Sequence, residues 1–127
     1  NYRLERRITM QYKDNELEIS GKKIKFPKKI DEIKQNDEYV FVRLALIMNS
    51  SEYIEGEDNN VYAIDKMGNI VWQIKNFPPK DNLEFTCSPI VLMYVDESNH
   101  LFVTDFSGRR FKVNLKTGDM QMVSITK

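Results

Sequence analysis

The side chains that most often carry out chemistry in proteins are scarce in this sequence of 127 residues, which has one histidine, His100, and one cysteine, Cys87. His100 lies in a predicted turn before a strand. Without a second histidine or cysteine nearby in sequence, it gives neither a zinc site nor a nucleophile–histidine pair. A single cysteine cannot form an intrachain disulfide, so we interpret Cys87 as a buried structural thiol in a reducing compartment.

Carboxylates are plentiful, but no arrangement of them specifies a reaction. Adjacent acidic residues such as Glu57-Asp58 can act as acid and base only in a defined pair, and the sequence singles out none. Asn59, Asn60 and Asp65 add oxygen ligands near Asp58, but their spacing departs from that of a calcium-binding loop and lacks its closing glutamate. No glycine-rich phosphate loop is present. We therefore expect turn residues here, and a protein that is not an enzyme and has no metal or cofactor.

One loop, residues 49–60, has the composition of a recognition segment. The middle of the chain, residues 35–105, has twelve acidic and four basic side chains. Carboxylates in this loop can pair with basic groups of a protein partner, while an aromatic side chain anchors the contact. A loop that only solvates a hairpin connection remains an open alternative. The candidate partner-binding residues are Glu52, Tyr53, Glu55, Glu57 and Asp58.

Overall charge and apolar patterning argue against several partner classes. The net charge is zero, which gives no general attraction to nucleic acid or to anionic lipid. The longest apolar run, Tyr39 to Met48, is interrupted by Arg43 and has about half the length needed to span a bilayer. The N-terminal segment through Lys13 lacks the continuous apolar stretch of a secretory signal. We expect no nucleic-acid or membrane partner and a cytoplasmic location.

Short runs of β-branched and aromatic residues, separated by glycine, asparagine, aspartate or proline, predict an all-β chain. The length predicts a single domain over residues 1–127. Glycines such as Gly68 and Gly118 stand where tight hairpins need positive φ. The predicted strands are Arg3–Tyr12, Glu16–Ser20, Lys23–Phe26, Glu38–Met48, Val61–Asp65, Ile70–Ile74, Ile90–Val95, Leu101–Asp105, Arg109–Asn114 and Met120–Ile125.

Residues 27–35 have two interpretations. Pro27 can begin a helix, but only Ile30 and Ile33 would form its apolar face, and the segment is short for a helix. The alternative is a strand from Ile30 to Lys34 that turns at Asn36-Asp37 into the next strand. The sequence leaves both interpretations open.

An internal repeat suggests how the strands are arranged. Residues 60–69 align without gaps with residues 100–109, forty residues later, and the apolar positions, an aspartate and a glycine coincide. A period near forty residues is the size of one propeller blade. We predict antiparallel, blade-like hairpins that form an incomplete propeller or a β-sandwich. In it, Tyr62 and Phe102 share one apolar interior, and Trp72 belongs to the core.

The segment from Val61 to Trp72 resembles the blade motif of quinoprotein-like β-propellers. It has a strand ending in Asp65, a turn at Gly68 and a strand that carries Trp72. The resemblance implies that the aspartate and glycine shape the turn, and that the tryptophan packs between neighbouring blades. Because closed propellers typically have at least four blades and this chain holds about three periods, an incomplete propeller is expected.

Nearly the whole chain is also similar to a group of small uncharacterised bacterial proteins. The shared features are a Gly-Lys-x-Ile-x-Phe-Pro segment at residues 21–27, the Trp72 hairpin, and later glycine turns. Such proteins often look like immunity partners of polymorphic or contact-dependent toxins. The resemblance implies a non-catalytic protein that binds and neutralises a nuclease-like toxin through an acidic surface. The alternative is a quinoprotein-like propeller fragment that serves as a scaffold module in an envelope or multi-protein assembly.

Overall fold

The structure, a computed structural model, describes residues 9–45, 59–75 and 89–123. Within these ranges all regular structure is β-strand, and eleven strands form three sheets. Within each sheet, strands that follow one another along the chain pair antiparallel. The prediction of an all-β chain built from blade-like antiparallel hairpins is confirmed.

The three sheets follow one another along the sequence. Sheet A contains β1 (Met10–Lys13), β2 (Glu16–Ile19) and β3 (Lys22–Lys25). Sheet B contains β4 (Ile30–Gln35), β5 (Tyr39–Leu44), β6 (Val61–Asp65) and β7 (Ile70–Gln73). Sheet C contains β8 (Ile90–Val95), β9 (Leu101–Asp105), β10 (Arg110–Val113) and β11 (Met120–Met122).

The segment with two interpretations is a strand. Residues 30–35 form β4, which pairs with β5 from Ile30 opposite Leu44 to Gln35 opposite Val40. A helix in this segment would have buried only two apolar side chains, whereas the strand completes sheet B and buries Ile30. The helical interpretation is therefore wrong.

Sheet B is the middle layer of a three-layer stack. Along β5, Val40 and Val42 face sheet A, whereas Phe41 faces sheet C, because successive side chains of a strand point to opposite faces. The interface between sheets A and B is formed by Leu17, Ile19, Ile24, Phe26, Ile30, Val40, Val42, Leu44 and Ile64. The interface between sheets B and C is formed by Phe41, Val61, Ala63, Trp72, Ile74, Ile90, Met93, Leu101, Val103, Phe111 and Val113.

The forty-residue repeat does not mark equivalent places in two blades. The first copy contains β6, the third strand of sheet B, and the second contains β9, the second strand of sheet C. Tyr62 packs on the interface between sheets A and B, 5.0 Å from Phe26 between ring centroids. Phe102 instead lies beside Tyr94 on the outer face of sheet C. The expectation that Tyr62 and Phe102 share one interior is wrong.

The repeat reflects a turn that occurs three times among the described residues, at 65–69, 96–100 and 105–109. In each turn the aspartate N–H donates to the carbonyl of the fifth residue, whose own N–H donates to the aspartate carboxylate. The fourth residue has positive φ and is Gly68, Asn99 or Gly108. Residue types that tolerate this backbone are few, so the same local sequence recurs wherever the turn does.

Candidate functional site

A buried asparagine joins three strand ends at one end of the stack. The side-chain nitrogen of Asn60 donates to the carbonyl oxygens of Leu44 at 3.2 Å and Ile90 at 3.0 Å. Its side-chain oxygen accepts from the N–H of Ile90 at 2.9 Å. Asn60 is 3 % exposed, so these bonds are shielded from water. We call this arrangement, formed by Leu44, Asn60 and Ile90, the Asn60 corner.

The acidic loop is attached at the Asn60 corner. Glu52, Tyr53, Glu55, Glu57 and Asp58 lie outside the described residues, as does Cys87, but Ala45 before the loop and Asn60 at its end are described. On one side the N–H of Ala45 donates to the carbonyl of Lys29 at 2.7 Å, and on the other the N–H of Leu44 donates to Asn60 at 2.9 Å. The scaffold therefore fixes Ala45, the last described residue before this loop, and Asn60 at the end of the loop.

Asn60 and Asp65, which the sequence offered as oxygen ligands, have structural roles. The carboxylate of Asp65 accepts from the backbone N–H groups of Met67 and Asn69, both at 2.9 Å. Hydrogen bonds from Asn69, with the nearby Lys22 ammonium, lower the pKa of Asp65. The prediction of a turn role is confirmed for Asp65. Asn60 instead bridges strand ends, and Asp58 lies outside the described residues.

His100 belongs to the second of the recurring turns. Its Nδ1 lies 3.2 Å from Oδ2 of Asp96, and its backbone N–H donates to the same carboxylate at 2.9 Å. The backbone hydrogen bond is the largest of the contacts that lower the pKa of Asp96. Across the described ranges, no group of three or more histidine, cysteine, aspartate or glutamate side chains could hold a metal ion.

Trp72 connects sheet B to sheet C. Its indole N–H donates to the carbonyl of Leu115 at 2.8 Å, and its ring packs on Gly118, where a Cβ atom would lie 2.7 Å from the ring. The ring also stacks on Phe41, with centroids 6.2 Å apart. Trp72 is 7 % exposed, so the prediction that it belongs to the core is confirmed. A tryptophan between neighbouring sheets is what the blade resemblance implies.

The two outer faces of the stack differ in chemistry. On sheet A, oppositely charged residues stand in register, with Glu16 opposite both Lys13 and Lys25, and Glu18 opposite Lys23. We call the other surface the outer face of sheet C. Its residues, from β8 to β11, are Leu92, Tyr94, Phe102, Thr104, Arg110, Lys112 and Gln121.

The outer face of sheet C is a functional candidate that the sequence reasoning missed. Leu92 is 59 % exposed and Tyr94 is 55 % exposed, and a shallow groove of about 390 Å³ runs between them and Phe102. A signal was available, because β8 reads IVLMYV and is apolar at all six positions. A strand with one face in water normally alternates apolar and polar residues. A continuous apolar run therefore indicates a strand with two faces that are both suited to burial.

The fold and these surfaces define a stack of blade-like antiparallel sheets with one apolar end face. The chain belongs to the family described as a domain of unknown function, DUF7957, whose model matches residues 7–125. No curated protein matches the chain. No solved structure matches it either. In the part of the chain that the structure describes, no helix is long and apolar enough to cross a membrane.

Proposed function

We propose that this chain is a non-catalytic protein-binding domain that acts in the cytoplasm as an immunity protein. Its partner is a nuclease-like bacterial toxin, which it binds and neutralises through the acidic loop, residues 49–60. The observation that carries the proposal is the Asn60 corner, in which Leu44, before the loop, and Asn60, at the end of the loop, are joined by buried hydrogen bonds. Recognition residues are commonly placed on loops that a rigid scaffold positions.

The composition of the loop supplies the chemistry of recognition. Glu52, Glu55, Glu57 and Asp58 place four carboxylates around Tyr53. A nuclease binds phosphate with lysine and arginine, so its substrate site is complementary to such a loop. Opposite charges accelerate association and select the partner, and a central aromatic residue contributes to the lifetime of the complex. Covering the substrate site would then block the toxin without any reaction.

Charge reversal in the loop tests the proposal. The partner to use is the toxin domain encoded beside this gene, and the measurements are complex formation by calorimetry and protection of cells that express the toxin. We expect E55K with E57K to weaken binding by about tenfold or more and to slow association. The matched control is E38K with E97K, two exposed carboxylates at the opposite end of the stack, and it should bind like the parent protein.

Two results would contradict the proposal. Absence of any complex between the unmodified chain and the neighbouring toxin domain removes the immunity function. Equal weakening by the loop pair and by the control pair removes the acidic loop as the contact surface, because the effect would then follow net charge alone.

The blade-like packing supports a second candidate, a scaffold module of a larger assembly. Trp72 packs on Gly118 of the next sheet as the quinoprotein-like resemblance implies, and the outer face of sheet C offers an apolar surface for a further sheet. Mass spectrometry of the protein isolated from its own cells separates the two candidates. A scaffold module predicts a longer polypeptide with additional Asp-x-x-Gly hairpins, whereas the immunity protein predicts a polypeptide close to 15.0 kDa.

A further inference from the structure

We propose that the outer face of sheet C binds single-stranded nucleic acid. Bases stack on the rings of Tyr94 and Phe102, and phosphates of the backbone pair with Arg110 and Lys112. The site is independent of the toxin proposal, because it uses a different surface and needs no partner protein. It rests on three observations: the order of residue types across the sheet, the charge of this face compared with that of sheet A, and the contacts of the Phe102 ring.

Aromatic and polar side chains follow one another in a row across the sheet. Tyr94 on β8 stands opposite Phe102 on β9. Phe102 in turn stands opposite Lys112 on β10, and Lys112 stands opposite Gln121 on β11. Neighbouring strands lie about 4.8 Å apart, so three such spacings span about 14 Å. A nucleic acid strand that crosses the sheet along this row meets two rings, then a cation and then an amide.

The rings of this row are accessible for stacking. Tyr94 is 55 % exposed, and its ring centroid lies 6.5 Å from that of Phe102. The groove beside them is also lined by Leu92 and Thr104, which offer an apolar contact and a hydroxyl to a base. Stacking on aromatic side chains tolerates any sequence, because every base has a π-face. We therefore expect binding with little sequence preference.

The charge of this face is complementary to a polyanion. Among the described residues that point outward from sheet C, Arg110 and Lys112 are basic and none is acidic. The net charge of zero, which gives no general attraction to nucleic acid, averages over the whole surface of the chain. On the outer face of sheet A, by contrast, Glu16 and Glu18 stand among the lysines and would repel phosphate. Only the sheet C face therefore combines exposed rings with unopposed positive charge.

The contacts of the Phe102 ring favour a nucleic acid over an acidic peptide. The Arg110 guanidinium lies over this ring, 5.9 Å from its centroid, and the His100 ring lies 6.5 Å from the same centroid. Bases stack on the guanidinium plane of arginine as well as on aromatic rings, so Arg110 extends the stacking surface from Phe102 toward β10. Each unit of a nucleic acid strand carries both a flat ring and a negative charge. That combination matches rings and cations that stand side by side, whereas a carboxylate of a peptide would satisfy the cations alone.

The salt dependence of oligonucleotide binding tests the two cations. The full chain is titrated into a fluorescently labelled oligothymidylate of about fifteen nucleotides, and binding is followed by fluorescence anisotropy. With two phosphate contacts, the logarithm of the association constant should fall against the logarithm of the salt concentration with a slope of about −1.4. R110Q and K112Q should each make this slope shallower by about 0.7. The matched control is K25Q, an exposed lysine of sheet A, which should leave the slope unchanged.

Substitutions of the exposed tyrosine test stacking. Y94A should raise the dissociation constant by about fivefold or more, whereas Y94F keeps the ring and should bind like the parent chain. The matched control is Y12A, because Tyr12 is 53 % exposed and belongs to sheet A. Circular dichroism spectra verify that each variant is folded, as expected for replacements of exposed side chains.

Several outcomes would overturn the inference. A parent chain that does not bind the oligonucleotide at low salt overturns it, and so does a chain that binds a duplex of the same length equally well, because the bases of a duplex are not free to stack on the protein. Equal weakening by Y94A and Y12A also overturns it. A chain that ignores the oligonucleotide but binds an acidic, tyrosine-containing peptide, with binding lost in Y94A, assigns the face to a protein partner. A parallel titration with oligouridylate distinguishes RNA from DNA, and tighter binding of either one supports the inference when Y94A weakens it.

Discussion

Sheet B covers both of its neighbours with apolar side chains, but its two interfaces differ in their polar contacts. Toward sheet C, the hydrogen bonds of Asn60 are buried and that of Trp72 is largely shielded from water. Toward sheet A, the side-chain contacts are a bond from Ser20 to Lys66 and one from Lys22 to Asn69, and both are exposed. Buried side-chain hydrogen bonds thus lie on the side of sheet B that faces sheet C, although the bond from Asn99 to Asp37 at the other end of that interface is exposed.

The difference shows which part of the stack is held in a single geometry. An exposed hydrogen bond exchanges readily with water, so losing it costs little, whereas a buried group left without its partner costs about 1–3 kcal/mol. Apolar packing alone tolerates small shifts of one sheet over another, since it has no preferred direction. Sheet C is therefore fixed to sheet B by directional side-chain contacts. Sheet A is held by apolar area and by a backbone hydrogen bond from the N–H of Ile30 to the carbonyl of Asp14 at 2.7 Å.

The largest expected loss of stability comes from removing the tryptophan between sheets B and C. Trp72→Ala should lower the free energy of unfolding by about 3–5 kcal/mol, because it leaves a cavity against Phe41 and Gly118. Trp72→Phe keeps a ring but loses the bond to Leu115, so it should cost less than Trp72→Ala. Urea denaturation followed by circular dichroism measures both. A loss below about 1 kcal/mol for Trp72→Ala would contradict the central place of this contact.

The second test removes the buried polar link while keeping the branched shape of the side chain. Asn60→Leu leaves the N–H of Ile90 and two carbonyl groups without their partner, so we expect a loss of about 2–3 kcal/mol in unfolding free energy. Gln11→Leu, an exposed amide on sheet A, is the control and should change stability by less than about 0.5 kcal/mol. Equal losses in the two variants would refute the asymmetry between the interfaces.

Alanine substitutions at two glycines distinguish the cost of backbone strain from the cost of a steric contact with Trp72. Gly118 and Gly21 have φ values of 82° and 81°, so alanine is strained by a similar amount at either position. A Cβ atom at Gly118 meets the Trp72 ring at 2.7 Å, whereas one at Gly21 meets nothing within 4 Å. We expect Gly21→Ala to cost about 1 kcal/mol and Gly118→Ala about 1–2 kcal/mol more. An equal decrease of the melting temperature in the two variants would show that the Trp72 ring moves away from the added Cβ atom without cost.

The smallest expected effect is a change in how stability depends on pH in acid. The folded-state pKa of Asp65 is lowered by its hydrogen bonds, so its contribution to stability is present above the unfolded pKa and is lost as pH falls through the folded pKa. Asp65→Asn should therefore flatten the decline of the urea midpoint between about pH 5 and pH 3. Asp96→Asn should act in the same direction, since its pKa is also lowered. An unchanged slope in both variants would contradict this assignment.

The sequence was sufficient for local structure wherever a turn and its strands lie close together along the chain. Val61–Asp65, Ile90–Val95 and Leu101–Asp105 were predicted with the bounds that the structure shows. Alternation and turn chemistry determine such hairpins locally. The same local determination made the prediction from the repeat wrong. The Asp-x-x-Gly-x turn requires the same residue types wherever its strands lie in a sheet, so the repeated sequence does not mark equivalent positions in two blades.

Contacts between sheets were harder to predict because their partners are far apart in sequence. The sequence indicates that Asn60 is a turn residue. Its hydrogen bonds to Ile90 can be predicted only if the strand that begins at Ile90 is known to lie beside it. Gly118 reads as a tight turn, and its contact with Trp72 depends on how the sheets stack. The outer face of sheet C was detectable from the apolar run of β8. The acidic-loop residues, including Tyr53, stay a prediction.

The central position of sheet B has a consequence for how the chain opens. In β5, the five residues from Val40 to Leu44 are buried, and the strand is paired on both sides by β4 and β6. Its amide protons can therefore exchange only when the neighbouring layers separate and the pairing with β4 and β6 breaks, so their exchange with deuterium should report global unfolding. Amides of β3 or β11, at sheet edges, should exchange through smaller and more frequent openings.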